Sequence, residues 1–444
     1  MSGSQAMINA FDPSNVERLD DRDRAIIAKR NRLLGPSYRL FYDQPFHPVR
    51  AQGVWLQDAN GQRFLDAYNN VPSVGHCHPR VIEAVTSQMS ILNTHTRYLS
   101  EGVLDFAERL LGLFPAALDR VMFTCTGSEA NDLAIRVAKS ATGGSGIIIT
   151  RLAYHGVTET IAGLSPSLGS GVEPGRDVFA VDAPLDPQKG GDVAAAFALA
   201  VEGALTEMRR LGVRPAALLI DTIFSSDGVF SDPPGFLAPA VKLFRDAGGL
   251  FIADEVQAGF GRTGDSFWGF QRHGLTPDIV TMGKPMGNGY PVAAMVSRRD
   301  LLDDFGRKSR YFNTFGGSNV AMAAATAVLD IIQDEGLVEN ARATGAYIRD
   351  GLKAMSKRHP IIGAVRGAGL FIGVEFLKGG SFDNPAWQET AAVVNGLRAR
   401  GVLISASGPN ANVLKIRPPL PFGMSEADLL LSTLDSVLQT IPMA

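Results

Sequence analysis

The chain reads as an α/β protein built on a mostly parallel sheet, and three observations lead there. Short, continuously apolar runs such as Ala217 to Asp221, Leu250 to Asp254 and Ile279 to Met282 have the length of strands covered on both faces. Stretches of helical periodicity separate them, as parallel pairing requires. The 48 glycines and 25 prolines are dispersed through the chain, which suits many tight turns between elements.

With 444 residues the chain can bury a large core in more than one domain. The expected division is a segment 1–65 (helix and hairpin) packing with a small domain, a large domain 66–335, and a small α+β domain 336–444. Hydrophobic residues at 45% and charged residues at 20% are ordinary for a globular protein, and a formal net charge of −3 with no basic run argues against nucleic acid. No apolar run reaches the ~20 residues of a membrane span. Two cysteines, Cys77 and Cys125, cannot make a disulfide framework, and Met1 to Ala10 lacks the pattern of a signal peptide, so a cytoplasmic location is expected.

Residues 1 to about 15 read as unstructured. Val16 to Leu34 suits an amphipathic helix closed by Gly35-Pro36, and Asp58-Ala-Asn-Gly61 marks a hairpin between strands 49–56 and 63–65. A helix is expected over 79–92. From Asp105 helices and strands alternate: helix 105–114, strand 120–125, helix 129–140, strand 147–150. A Gly/Pro/Asp-rich stretch, 163–192, predicts a long surface loop. Helix 193–211, strand 217–221, helix 237–247, strands 250–254, 279–282 and 292–296, and a helix 320–334 complete the large domain. The tail mixes helices 337–356, 390–400 and 425–438 with strands 365–376, 402–404 and 413–416.

Four features carry chemistry. Strand Ile279–Met282 delivers Lys284 into a segment that Pro285, Gly287, Gly289 and Pro291 keep from becoming a helix. An amine held at a buried strand end has a lowered pKa and can act as a Schiff-base nucleophile. Asp254 ends another buried strand and needs a cationic or hydrogen-bonding partner. Thr126-Gly127-Ser128 stands between a strand and a helix; Ser128 is expected as the N-cap, and the first amides of that helix form an anion site. Tyr154 adds an aromatic face. Ligands of open α/β sheets bind at the carboxyl ends of strands. Lysine, aspartate, aromatic and phosphate cradle together suit pyridoxal phosphate, whose aldehyde needs an amine and whose ring nitrogen needs a carboxylate.

Two other patterns are weak. In His76-Cys77-His78 three adjacent side chains cannot all point at one ion, so no metal is expected. Gly259-Phe-Gly-Arg-Thr-Gly264 spells a dinucleotide fingerprint, but it follows an acidic strand end and no proper helix follows it.

Seven motifs in order then make a resemblance: Gly75-His-Cys-His-Pro79, Gly127-Ser-Glu-Ala-Asn131, Tyr154-His-Gly156, Asp254-Glu-Val-Gln257, Lys284, Thr314-Phe-Gly-Gly317 and Arg417-Pro-Pro-Leu420. From about residue 40 onward the chain resembles the class III, ω-type aminotransferases of fold type I. The resemblance implies a large domain with a mostly parallel seven-stranded sheet plus a smaller α+β domain, and pyridoxal 5'-phosphate as cofactor. It implies that Lys284 forms the Schiff base and shuttles the proton, with Asp254 on the ring nitrogen and Gln257 on the ring hydroxyl. Tyr154 and Val256 would cover the two ring faces, His155 would stand beside the cofactor, and Gly127 and Ser128 would hold the phosphate. Thr314 would come from the partner subunit of a homodimer, and Arg417 would bind a substrate carboxylate.

One departure bears on substrate. Where many members read Glu-Pro-Ile-Gln-Gly-Glu-Gly, this chain has Asp221-Thr-Ile-Phe-Ser-Ser-Asp227, so Ser226 stands where a glutamate would neutralise the arginine. The arginine is then expected to stay positive, with neighbouring Asp227 as the alternative partner. An unneutralised Arg417 predicts an anionic substrate, carboxylate or phosphate. Asn69 through Pro79, Asn93-Thr-His-Thr-Arg97 and Asp278 through Pro291 also resemble the branch that includes ethanolamine-phosphate phospho-lyases. Arg39, Tyr42 and Lys415 are possible additions to an anion pocket, each expected at the surface. The leading expectation is an aminotransferase moving an amino group from an amine or amino acid to a keto acid such as pyruvate. The alternative is a phospho-lyase acting on an O-phosphorylated amino alcohol such as ethanolamine phosphate.

Overall fold

The computed structural model describes residues 7, 9–184 and 190–441. A 3₁₀ turn at Pro13–Arg18 precedes helix α1 at Asp21–Leu33. The single helix expected from 16 to 34 is therefore divided: the Asp20 carboxylate accepts from the Asp23 amide at 2.8 Å and starts α1 afresh. The expectation of an unstructured segment 1–15 falls partly on residues 1–6 and 8, outside those described. Strands β1 (Pro48–Gln52), β2 (Trp55–Asp58) and β3 (Arg63–Asp66) form a meander. Asp58 closes its second turn by accepting from the Asn60 and Gln62 amides at 2.9 and 2.8 Å.

Helices α2 (Pro79–Ile91) and α3 (Glu101–Leu111) lead into an alternating run. It comprises β4 (Arg120–Thr124), α4 (Gly127–Thr142), β5 (Gly146–Thr150), α5 (Glu159–Ala162), β6 (Val178–Val181), α6 (Val193–Arg210) and β7 (Pro215–Asp221). Then come α7 (Ala238–Asp246), β8 (Leu250–Asp254), α8 (Gly269–Arg272), β9 (Ile279–Met282), β10 (Ala293–Ser297), α9 (Arg299–Lys308) and α10 (Asn319–Asp334). The tail holds α11 (Leu337–Ser356), β11 (Ile362–Ala368), β12 (Phe371–Phe376), α12 (Trp387–Ala399), β13 (Val402–Leu403), β14 (Ser405–Ser407), β15 (Val413–Ile416) and α13 (Met424–Thr440).

The central sheet has seven strands in the order β4-β10-β9-β8-β7-β5-β6. Only β10 runs against the rest; it pairs antiparallel with both β4 and β9. Period-two alternation sends successive side chains to opposite faces, and both faces are covered. Ala217, Leu219 and Ile252 pack against Leu133, Ala134 and Val137 of α4. Leu218, Ile220, Phe251 and Ala253 face Phe197 and Val201 of α6 and Phe244 of α7. A second sheet has the order β11-β12-β15-β14, and β13 pairs parallel with β3, joining the early meander to the tail.

Three more expectations need correction. The strand expected over 49–56 is broken into β1 and β2, which pair antiparallel. The stretch 163–192 contains strand β6, the outermost parallel strand, beside β5; its residues 185–189 lie outside those described. The single strand expected over 365–376 is a hairpin, because Gly369 adopts φ +51° and turns β11 back onto β12. A Cβ there would sit 2.4 Å from the Arg262 carbonyl oxygen. Strands β5, β7, β8 and β9 all end at the same sheet edge, so the residues that follow them converge.

Candidate active site

The α4 N-terminus forms one wall. Thr126, rather than Ser128, is the N-cap: its hydroxyl accepts from the Glu129 amide at 3.2 Å, and Glu129 accepts from the Thr126 and Cys125 amides at 2.9 and 2.8 Å. Gly127 and Ser128 thereby become the first two helical residues, whose amides have no intrahelical acceptor. The glycine is a matter of space. A Cβ on Gly127 would lie 2.9 Å from Val256 Cγ2, and one on Gly156 (φ +140°) would lie 2.3 Å from Ser128 Oγ. The Ser128 hydroxyl accepts from the Val157 amide at 3.1 Å, which fastens the loop after β5 to the helix start.

Asp254, at the end of β8 and 4% exposed, is held from several directions. Its Oδ2 receives Asn131 Nδ2 at 3.0 Å and lies 2.7 Å from His155 Nδ1, and its Oδ1 accepts from the Val256 amide at 3.1 Å. Asn131 is itself fixed: its other amide proton goes to the His155 carbonyl at 2.8 Å, and its oxygen accepts from Thr281 Oγ1 at 2.6 Å. A buried carboxylate with its partners in place stays oriented. Neither Asn131 nor Thr281 is given a role by sequence reasoning. A mid-helix asparagine and a mid-strand threonine carry no signal until the topology sets α4 against β8 and β9.

Lys284 follows β9 and reaches the same pocket, its Nζ 5.6 Å from the centroid of the Tyr154 ring. Removal from water is the main cause that lowers its pKa; the neighbouring Arg417 adds to this, while Asp254 and Asp221 pull the other way. Tyr154, 36% exposed, has its phenol pushed up by partial burial and by Asp254. Asp221, at the end of β7, also lines the pocket and accepts from the Ser225 and Ile223 amides at 2.9 and 3.2 Å. Burial and Asp254 raise its pKa. No sequence pattern marks it as a site residue.

Arg417 lies just beyond β15 and is nine-tenths buried. Its Nη1 donates to Asn70 Oδ1 at 2.8 Å and to Gln257 Oε1 at 2.7 Å, its guanidinium stacks 4.4 Å from the Tyr68 ring centroid, and its Nε has no partner among the described residues. Gln257 donates in turn to Ser225 Oγ, so it bridges the 221–229 loop and the arginine. Asp227 does not compensate that charge. It is turned the other way, accepting from Thr150 Oγ1 at 2.8 Å and the Leu152 amide at 3.2 Å, and burial pushes its pKa up to about 6.

The pocket thus gathers Gly127, Ser128, Tyr154, His155, Asp254, Val256, Gln257 and Lys284. Thr314 stands apart on an exposed stretch. Of the residues expected at the surface, Arg39 is exposed, but Tyr42 is buried and donates its hydroxyl to the Ile404 carbonyl at 2.9 Å. Lys415 is buried too, at 8% exposure. The adjacent histidines diverge: His76 Nε2 lies 2.6 Å from Asp66 and His78 Nε2 lies 3.1 Å from Glu335.

These residues fit pyridoxal phosphate. Free helix-start amides suit its phosphate, an oriented buried carboxylate suits its ring nitrogen, and a tyrosine face beside a desolvated lysine suits its ring and aldehyde.

Comparison with known proteins agrees. The model of the aminotransferase class-III family matches residues 41–438. The chain is 37% identical to the Caenorhabditis elegans ethanolamine-phosphate phospho-lyase homolog 1 over 96% of each chain. It is 39% identical to the Arabidopsis thaliana mitochondrial alanine–glyoxylate aminotransferase 2 homolog 2, over 92% of this chain and 86% of that one. Among solved structures, a phospholyase from Arthrobacter in complex with phosphoethanolamine superposes with a TM-score of 0.91 at 42% identity, covering 94% of this chain and all of the other. A match that runs through sheet, site and tail alike places the chain in the class-III aminotransferase family of fold-type-I pyridoxal-phosphate enzymes.

Proposed function

We propose that the protein is a pyridoxal-phosphate-dependent phospho-lyase acting on an O-phosphorylated amino alcohol such as ethanolamine phosphate. The observation that carries an anionic substrate is Arg417: a buried cation held by two neutral amides, with no carboxylate paired to it among the described residues. Asp227 points away from it, and Ser226 stands where a glutamate would neutralise it. A charge buried without a counterion is costly, and a substrate anion relieves that cost. Relatives named phospho-lyase support the phosphate choice. The second reading, an aminotransferase working from an amine or amino acid to a keto acid, draws on the same arginine, which suits a carboxylate equally well, and on the 39% identical aminotransferase relative.

In either reaction Gly127 and Ser128 would hold the cofactor phosphate, Asp254 its ring nitrogen, and Tyr154 and Val256 its two faces. When bound, pyridoxal phosphate supplies the electron sink that makes a C–H bond beside an amine acidic. Lys284 Nζ takes that proton. In elimination the electron pair left on the carbon forms a C=C bond as the neighbouring C–O bond to phosphate breaks. Water then replaces nitrogen, and ammonia, a carbonyl compound and inorganic phosphate leave. In amino transfer the C–O bond stays intact and nitrogen passes to the keto acid.

A homodimer is part of the proposal. A groove of about 980 Å³ lies between α2, α3 and α10, lined by Leu92, Leu99, Leu104 and Met322 among others. Leu99 is fully exposed and Ile91 is 78% exposed, an apolar surface of the kind that subunits cover. Exposed Thr314 would then complete the partner's phosphate site.

Purified enzyme carrying the cofactor should release inorganic phosphate and ammonia from ethanolamine phosphate with no keto acid present. Alanine formation from pyruvate and an amine, without phosphate release, would overturn the lyase reading in favour of the transferase.

A further inference from the structure

Beside Arg417 lies a second buried cation, Lys415, with no ion pair among the described residues. Lys415 lies on β15, two residues before Arg417, so alternation along the strand sends both side chains toward the same face. Val413, on that face too, packs against Gly373 and Gly408, and both of these glycines also border Gly228, which turns the face to the 221–229 loop. Lys415 is more than nine-tenths buried, and no hydrogen bond or ion pair to its ammonium group is found among the described residues. The charges that act on it are Arg417, Asp221, Lys284 and Asp227. Asp221 and Lys284 line the pocket, and Arg417 donates to Gln257, which lines it too. Asp227 is engaged with Thr150 and Leu152, and Asp221 with the Ser225 and Ile223 amides, so neither carboxylate is paired with the ammonium group.

Resting on the phospho-lyase reading, we propose that Lys415 is a specificity residue. With Arg417 it binds the doubly charged phosphate group of the substrate and sets a preference for dianions over single carboxylates. One guanidinium balances a carboxylate; a phosphate monoester dianion needs two positive charges. Lys415 supplies the second from a strand position where, in its absence, an apolar side chain would pack. Burial and the charge of Arg417 hold its pKa well below the ordinary lysine range, and a dianion against it favours the protonated form again. A buried unpaired amine weakens the fold, and the binding site gains from it.

The test uses the cofactor-loaded enzyme, in which the cofactor's own phosphate site is filled, and methyl phosphate as a dianion that lacks an amine, with acetate as the monoanion. Calorimetric titration should show Lys415→Met binding methyl phosphate at least ~10-fold more weakly than wild type, acetate little changed, and Lys415→Arg retaining most of the affinity. The long-wavelength absorbance of the bound cofactor should be unchanged, and Lys415→Met should raise the thermal midpoint of the unliganded enzyme. Unchanged methyl phosphate binding in Lys415→Met, or an equal loss for acetate, would overturn the assignment. Should the Met variant fail to fold, Lys415→Gln takes its place with the same criteria. Phosphate release from ethanolamine phosphate is scored separately. Dianion binding that depends on Lys415 in an enzyme that releases no phosphate would sink the lyase reading and leave this inference standing.

Discussion

Replacing Asn131 with leucine tests how the aspartate that would face the cofactor is held. Leucine matches asparagine in shape but makes none of its three hydrogen bonds. The Thr281 hydroxyl and the His155 carbonyl lose a partner, and Asp254 Oδ2 keeps only His155. At about 1–3 kcal/mol for each orphaned buried group, the two neutral groups alone predict a loss of about 2–6 kcal/mol in stability. The bond to Asp254 is charge-assisted and worth about 1.5–3 kcal/mol, so a less firmly oriented carboxylate should weaken cofactor binding by roughly 10- to 100-fold. Urea unfolding of the cofactor-free protein reads the first number, and titration of cofactor absorbance reads the second. The asymmetry of buried hydrogen bonds adds a sharper demand. Thr281→Val removes the hydroxyl that Asn131→Leu would strand, so the double variant should be more stable than the sum of the singles predicts, by about 1 kcal/mol. Strict additivity, or a single Asn131→Leu variant losing less than ~1 kcal/mol with cofactor affinity intact, would refute this reasoning.

Lys284→Ala should abolish the long-wavelength absorbance of bound cofactor and all turnover while leaving the fold intact; a yellow, active variant would remove the lysine from its place. Gly156→Ala forces a side chain at φ +140° into Ser128 and should cost about 2 kcal/mol or more together with cofactor affinity, read by unfolding and titration. Arg417→Ala should raise KM for anionic substrates ~10-fold or more and leave neutral amines nearly unchanged, as steady-state kinetics on paired substrates would show. His273 is buried, and burial lowers its pKa to about 4. Because its folded pKa is depressed, the unfolded chain binds the proton first; its stabilisation is complete above pH ~6.5 and is lost as pH falls toward 4, by up to about 3 kcal/mol. His273→Gln should flatten that part of the pH–stability curve, and an unchanged slope would count against it.

Much of the site was legible because its residues sit where sequence patterns end. Lys284 and Asp254 each terminate an apolar run, and Gly127 opens a helix, so strand ends and turn glycines marked them. Asn131 and Thr281 lie inside regular elements, and only the packing of α4 across β8 and β9 brings them to the aspartate. Lys415 was misplaced for a related reason. A charged residue in a strand reads as solvated, and the sequence does not reveal that this face of β15 is buried toward the 221–229 loop. In the fold, β6 was hidden because the glycines and prolines around it outweighed a four-residue apolar run. The β11–β12 turn was hidden because Gly369 sits in a run that stays apolar on both sides. Asp227 had the right charge and sequence position to neutralise Arg417, and the turn at Phe224 to Val229 directs it to Thr150 instead.

The one strand that runs against its neighbours has a consequence for how this enzyme diversifies. Because β10 returns directly alongside β9, the ten residues between them, Gly283 to Val292, form a loop tied at both ends by the same ladder, with Ala294 opposite Met282. Asn288 laces its middle to the neighbouring loop, accepting from the Val74 amide at 3.0 Å and donating to the Gly75 carbonyl at 2.9 Å, and Ser73 donates to the Pro285 carbonyl at 2.8 Å. The lysine therefore stands like a post set at its foot, whatever the tail strands carry. Changes on β15, which hangs from a different sheet, can alter what is brought to that post without moving it.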